Sequence, residues 1–166
     1  MREQSSLYKK ILIAFLWIAF LLLVSAILGN LSKSEVDSWY YTLERSKLTP
    51  PSITFAIVWP ILYILIALSG FFLWSTPSTQ NLLGAKIGYI AQLVFNWSWT
   101  PLFFLYHQIG YALFCLILTL LTTLFVVACA WNRQRVSAAL LIPYVVWLIF
   151  ALYLNAYIYI NTSQIG

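Results

Sequence analysis

Apolar residues fall in five long blocks separated by short polar breaks: Ile11 to Gly29, Ile53 to Trp74, Ile87 to Leu105, Ile109 to Trp131 and Val136 to Ile160. Each is close to the roughly 20 residues that a helix needs to cross a bilayer core. The breaks are Asn30 to Ser52, Ser75 to Lys86, Tyr106 to Gln108 and Asn132 to Arg135. Only the first is long. The others fit antiparallel helix hairpins, leave no room for a second domain, and contain no repeat. The pattern predicts an all-α membrane protein, a bundle of five transmembrane helices (11–29, 53–74, 87–105, 109–131 and 136–160) in one domain over residues 1–166. Lys9-Lys10 before the first block also suits a signal peptide. The apolar run Ile11 to Leu28 outlasts the roughly 7–15 residues of a signal core, however, and no small-x-small cleavage site follows it clearly. Retention as a membrane helix is the expectation.

Composition agrees with the pattern. Hydrophobic residues make up 63% of the chain and charged ones 8%, against roughly a quarter charged in a soluble domain. Mean hydropathy is +0.89. Lipid is therefore the solvent for most of the surface. All four acids, Glu3, Glu35, Asp37 and Glu44, precede Arg45. The nine basic residues flank the apolar blocks and form no single basic face, so nucleic acid is not an expected partner. Cys115 and Cys129 share one apolar block, 14 residues apart. That is about 21 Å along a helix, too far for a disulfide, and both read as packing residues.

Basic residues also set an orientation. The side of the N-terminus and the second and fourth breaks carries six: Arg2, Lys9, Lys10, Lys86, Arg133 and Arg135. The other side carries three, Lys33, Arg45 and Lys47. In a bacterial cell membrane, the excess of positive charge places the N-terminus in the cytoplasm and the C-terminus outside.

Many aromatic residues, among them Trp74, Tyr106, Trp131 and Tyr159, sit where interfacial anchors are expected. Deeper ones share helix faces with amides. Gln92, Asn96, Thr100 and Phe103 follow i, i+4, i+8, i+11 spacing with Trp99 beside them; Tyr144, Trp147, Ala151 and Asn155 follow i, i+3, i+7, i+11; and Trp59, Tyr63 and Gly70 line up on the second block. An amide in a bilayer needs a partner, so Gln92, Asn96 and Asn155 are expected to face the bundle interior. Hydrogen-bonding glue and aromatic packing account for any one of these residues. Three helices converging amides and tryptophans are better explained by a pocket for a flat apolar ligand. Pro60, Pro101 and Pro143 interrupt helical bonding in or near the spans, as kinks or as cavity walls. Gly84-x-x-x-Gly88 is a weak signal for close helix approach.

No Asp, Glu, Lys, Arg or His lies mid-span. An ion-coupled pump usually needs such groups. Without a carboxylate pair, a metal-spaced His/Cys cluster or a nucleophile–base pair, hydrolase and metalloenzyme readings are not expected, nor is a metal. His107 reads as an interfacial residue.

In order, the chain reads Trp39-Tyr40-x-x-Leu43, Thr49-Pro50-Pro51, Val58-Trp59-x-x-Leu62-Tyr63, Gln92-Leu93-x-x-Asn96-Trp97-Ser98-Trp99-Thr100-Pro101-Leu102-Phe103-Phe104, and Leu141-Ile142-Pro143-Tyr144-x-x-Trp147-x-x-Phe150-Ala151-x-x-Leu154-Asn155. This series resembles the TspO/MBR family, also called tryptophan-rich sensory protein, translocator protein or peripheral benzodiazepine receptor. The resemblance implies a TspO-like five-helix bundle, usually a homodimer, with the first loop as a lid over a cavity. Its members bind tetrapyrroles such as protoporphyrin IX, sterols in some cases, and benzodiazepine-type ligands. By that resemblance the ligand pocket takes Trp39, Tyr40, Pro50, Trp59, Tyr63, Asn96, Trp99, Phe103, Pro143, Trp147, Ala151 and Leu154. Protoporphyrin IX or haem would be a ligand and no cofactor is implied. The implied function is a porphyrin-binding sensor or translocator. The alternatives are light- and oxygen-dependent porphyrin degradation, with Trp39, Trp59 and Trp147 as photochemical residues, and a facilitated carrier of tetrapyrrole or sterol-like ligands.

Three departures from the family pattern stand out. Its Lys-Pro-x-Trp lid segment is here Arg45-Ser46-Lys47-Leu48; an acidic residue of the fourth span is Cys115; and no basic residue follows Tyr157, as the sterol-type motif at this end requires.

Overall fold

A computed structural model describes residues 2–76 and 80–162 of the chain. The described residues are almost wholly helical: α1 (Arg2–Asp37), α2 (Ser52–Ser75), α3 (Gln80–Thr100), α4 (Ile109–Ala130), α5 (Arg135–Leu140) and α6 (Ile142–Thr162). With α5 and α6 as one broken span, these are the five expected transmembrane helices. Four spans are long and apolar enough to cross a membrane by length and composition alone. The exception is α3, which carries Lys86, Gln92 and Asn96 and hides the two amides inside the bundle. Large side chains such as Phe15, Ile57, Ile87, Phe114 and Val146 are more than half exposed and form the lipid-facing surface of a multi-pass membrane protein.

The ends of the spans differ from the sequence pattern in three places. First, α1 continues to Asp37, well beyond the expected stop at Gly29. Its 36 residues make about 54 Å of helix, against about 30 Å of hydrocarbon. The added turns pack inward: Val36, with Trp39 and Tyr40 just beyond it, lies on the buried cluster of Phe103, Phe104, Ala112 and Ile158. Second, α3 starts at Gln80, ahead of the expected Ile87.

Third, prolines decide where helical bonding changes. Pro101 cannot donate its own backbone bond, and from there α3 widens into a π-helical stretch, Pro101–Leu105. Tyr106 N–H then donates to Pro101 O (3.0 Å) and Gln108 N–H to Leu102 O (2.9 Å). His107 turns the chain into α4 with φ 52°, the left-handed region that few side chains adopt. The last span breaks at Leu141, two residues before Pro143, where Leu141 N–H donates to Ala138 O in a tightened turn (3.1 Å).

Polar ties fix the bundle. Ser69 Oγ on α2 donates to Ser137 O (2.8 Å) on α5. Tyr89 on α3 donates its hydroxyl to Ile66 O (2.8 Å) and accepts from Trp17 Nε1 of α1 (3.2 Å). Cys115, buried and free as expected, donates from Sγ to Phe95 O (3.0 Å). The Gly84/Gly88 pair works within the chain: a Cβ on Gly88 would meet Phe125 at 2.9 Å and Val126 at 3.1 Å of α4. Gly70, expected on the pocket face with Trp59 and Tyr63, instead gives Tyr89 its room; the Tyr89 hydroxyl and Trp17 Nε1 fill the space a Cβ would need.

Gly70→Ala should therefore push Tyr89 off both hydrogen bonds and lower stability by about 1–3 kcal/mol, as overpacking does. In a thermal or denaturant unfolding series in detergent, the loss should shrink in a Tyr89→Leu background, because the ring end that the new methyl meets, at both the hydroxyl and Cζ, is then absent.

Candidate functional site

A cavity of about 950 Å³ runs between α1, α2, α3 and α6 beneath the first loop. Ten of the twelve sequence-expected residues line it: Tyr40, Pro50, Trp59, Tyr63, Asn96, Trp99, Phe103, Trp147, Ala151 and Leu154. Thr100 and Asn155, from the same amide-bearing faces, line it too.

Helical spacing explains this convergence. On α6 the wall is Trp147, Ala151, Leu154, Asn155 and Ile158, one stripe of i, i+4, i+7, i+8, i+11. On α3 it is Asn96, Trp99, Thr100, Phe103 and Phe104, and the π-helical widening keeps Phe103 and Phe104 on the inner side. Trp59 meets Trp147 edge-on at 6.4 Å between ring centroids and Tyr63 at 5.9 Å. Trp99 stacks on Phe103 at 5.2 Å. These are the separations at which aromatic rings attract one another.

The amides are committed to the protein. Asn96 Oδ1 accepts from Tyr63 Oη (2.5 Å), and Asn96 Nδ2 donates to Tyr144 Oη (2.8 Å), so one side chain joins α2, α3 and α6. Asn155 Oδ1 accepts from Trp99 Nε1 (3.0 Å) while its Nδ2 donates to Ile109 O (3.2 Å). Gln92 is fully buried as expected, but it lies outside the cavity wall and neither end of its amide has a hydrogen-bond partner among the described residues. Trp147 Nε1 is likewise buried without a partner.

Two expected residues are placed elsewhere. Trp39 stacks flat on His107 (3.9 Å between centroids) and meets Phe103 edge-on at 5.5 Å. His107 in turn meets Glu35 Oε2 at 3.1 Å, so the residue read as merely interfacial joins the end of α1 to the α3–α4 turn. That stack draws Trp39 out of the wall. Pro143 precedes Trp147 by one turn, and next to it Tyr144 is fully buried and turned to Asn96. The cavity stops above it.

The sequence reading also missed a wall. α1 contributes Leu22, Ser25, Ala26, Gly29, Lys33 and Val36. The available signal was the series Ser25, Gly29, Lys33 at i, i+4, i+8, with Ala26 beside it: small residues followed by a cation on one face.

The loop closes the open end. Ser46, one of the positions departing from the family pattern, is only 6% exposed and shares a hydrogen bond with Tyr153 Oη of α6 (2.8 Å). Its Oγ also accepts Leu48 N–H (3.1 Å), while the Leu48 side chain is exposed. Arg45 stands over the rings of Tyr41 (4.5 Å) and Tyr40 (5.3 Å). Burial raises the Tyr40 phenol above its ordinary pKa, with the Arg45 charge pulling the other way.

The profile of the TspO/MBR family matches residues 9–160. The chain belongs to the TspO/MBR family. It is 35% identical to the translocator protein of Sus scrofa over 141 residues, which cover 80% of this chain and 82% of that one. With the tryptophan-rich protein TspO of Bacillus cereus the identity is 32% over 155 residues, 91% and 95% of the two chains. With the tryptophan-rich sensory protein of Cereibacter sphaeroides it is 31% over 122 residues, 72% and 73%. The five-helix architecture and the membrane setting are thus those of the family.

Asn96→Ala should leave the buried hydroxyls of Tyr63 and Tyr144 unpaired and cost about 1–3 kcal/mol, whereas Tyr63→Phe, which removes one bond, should cost about 0.6 kcal/mol. Unfolding midpoints in detergent check the ratio. Equal losses would show that Asn96 does not act as a shared junction.

Proposed function

We propose that this protein is a membrane receptor for a flat, largely apolar ring, with a tetrapyrrole such as protoporphyrin IX as the leading ligand. The observation that carries this reading is the convergence of Trp59, Trp99, Phe103 and Trp147 on one cavity whose amides are already consumed by the bundle. With Asn96 and Asn155 satisfied internally, the deep wall offers ring faces and edges, and it favours a ligand that stacks. The cavity, at about 950 Å³, is at the upper end of the roughly 300–1,000 Å³ of small-molecule sites, which suits a large ring. Relatives named as translocator and sensory proteins support a binding role over a hydrolytic one.

A second reading is light-dependent oxidation of the bound ring. The edge-on pair of Trp59 and Trp147 supports it: an indole can donate an electron to a photoexcited ring, which passes it to dissolved oxygen, the oxidant that the degradation consumes. Trp39, stacked on His107 and outside the cavity lining, is less suited to that role.

Protoporphyrin IX added to the purified protein should quench tryptophan fluorescence saturably. Trp59→Phe with Trp147→Phe should weaken binding about tenfold, consistent with roughly 0.5–1.5 kcal/mol for each weakened aromatic pairing. Unchanged affinity in the double variant would dismiss this wall as the binding surface. The same pair of samples under illumination in air tests the second reading: equal loss of porphyrin absorbance in both discards it.

The orientation proposed with this function has the N-terminus in the cytoplasm and the loop-covered mouth outside, and the assembly proposed is the family's homodimer. A C-terminal reporter active only outside the cell membrane should be active when fused after Gly166; the reverse result would invert the orientation.

A further inference from the structure

Rings of the bundle form a line that leaves the cavity wall and reaches the opposite membrane face. Trp59 meets Tyr63 at 5.9 Å between centroids and Trp147 at 6.4 Å. Trp97 packs on the buried cluster that includes Tyr63, its Nε1 near the Tyr63 hydroxyl but outside hydrogen-bonding geometry. Phe20 of α1 meets Trp97 edge-on at 6.2 Å and stacks on Trp17 at 5.5 Å. Trp17 donates from Nε1 to the Tyr89 hydroxyl (3.2 Å), and Tyr89 meets Trp74 at 5.4 Å. Trp74 is 47% exposed at the far end of α2, roughly four turns or about 22 Å from Trp59.

Electrons can pass along such a line, and proton partners decide where a positive charge comes to rest. An oxidised phenol must lose its proton, yet Tyr63 and Tyr89 donate only to the Asn96 amide oxygen and the Ile66 carbonyl, neither of them a base. These two and Phe20 therefore act as bridges between tryptophans. An oxidised indole can keep its proton. At Trp97 and Trp147 it has to, because neither Nε1 has an acceptor among the described residues, and a charge there stays mobile. At Trp74 water reaches the ring, and Lys86 Nζ at 5.8 Å disfavours a second positive charge beside it. Loss of the Trp74 indole proton to water then ends the transfer.

We propose that this ring line is an electron relay, which draws oxidising equivalents formed at Trp59 or Trp147 out of the cavity and delivers them to Trp74 at the membrane face opposite the loop. The inference rests on the ring-oxidation reading above for the source of those equivalents. The photoexcited ring takes one electron from Trp59 and passes it to dissolved oxygen, which becomes superoxide. The electron missing from Trp59 is supplied through Trp97 and Trp17 by Trp74, which also loses its Nε1 proton to water. An aqueous thiolate then gives Trp74 one electron and becomes a thiyl radical, while the proton returns from water. The cavity tryptophans are left intact for further turnovers.

The test uses the full chain in nanodiscs with protoporphyrin IX and a water-soluble nitroso spin trap, with the trapped tryptophan radicals located by peptide mass spectrometry. Samples are illuminated in air, and separately under argon with a cobalt(III) ammine as electron acceptor. In the second case the excited ring reduces the cobalt and, once oxidised, draws its electron from Trp59. Trp131 is the internal control: it is 45% exposed at the same membrane face and has no ring contact among the described residues. Wild type should carry several-fold more trap on Trp74 than on Trp131. Phe20→Leu, which breaks the line without removing a hydrogen bond, and Trp97→Phe should bring that ratio near unity and raise adducts at Trp59 and Trp147. Unchanged protoporphyrin affinity reports that both variants are folded. Equal labelling of Trp74 and Trp131 in wild type, or an undiminished ratio in both variants, would overturn the relay and leave ring oxidation standing. A high ratio with cobalt but not in air would keep the relay and discard oxygen as the acceptor. Absence of radicals under both conditions, with saturable fluorescence quenching, would overturn the relay and the oxidation reading but not ring binding; absence of quenching would overturn all three.

Discussion

A bilayer core offers no water to an amide or a hydroxyl, so each polar group placed there has to find its partner inside the protein. Asn96 meets this demand with both ends of its side chain, one on Tyr63 and one on Tyr144. The rest of the site hangs on that junction. It fixes the mutual rotation of α2, α3 and α6, and helical spacing then brings Trp59, Trp99 and Trp147 to the same space. Asn155 repeats the device at another level, tying Trp99 to α6 and to the start of α4. Because each end of these amides is already hydrogen-bonded within the protein, the walls of α2, α3 and α6 present mainly ring surfaces to the cavity.

Backbone irregularity has the same origin. Pro101 has no N–H to give the Trp97 carbonyl one turn back, and beyond it the chain closes as a π-helical stretch in which Tyr106 N–H donates to Pro101 O and Gln108 N–H to Leu102 O. Widening the helix there rotates Phe103 and Phe104 to the interior, where they support Tyr40 and Trp39. The left-handed turn at His107 aims its ring at Trp39 and Glu35. A single proline thus links the cavity wall to the seat of the loop above it.

The loop shows how one small polar residue can seat a covering segment. Ser46 tethers the loop by hydrogen-bonding Tyr153, and its Oγ also accepts the Leu48 N–H. Leu48 stays exposed. The mouth keeps its cations, and with them a chemistry distinct from that of the aromatic depth.

The number of spans, their membrane setting and most of the cavity stripe were legible in the sequence, because run length and helical period are local properties. Asn96 and Asn155 announced themselves, since an amide in hydrocarbon is too costly to leave facing lipid. Tertiary structure decided what depends on neighbours. Trp39 left the wall for the His107 ring, Gly70 made room for Tyr89, and Gly84 and Gly88 packed against α4. The added turns of α1 and its wall of Ser25, Ala26, Gly29 and Lys33 also escaped the pattern. Hydropathy marks where a helix is apolar, but it does not mark where packing on another span makes further helix worth forming. Which ring faces a cavity and which faces a partner is settled by contacts between residues far apart in the chain, and no local period encodes them.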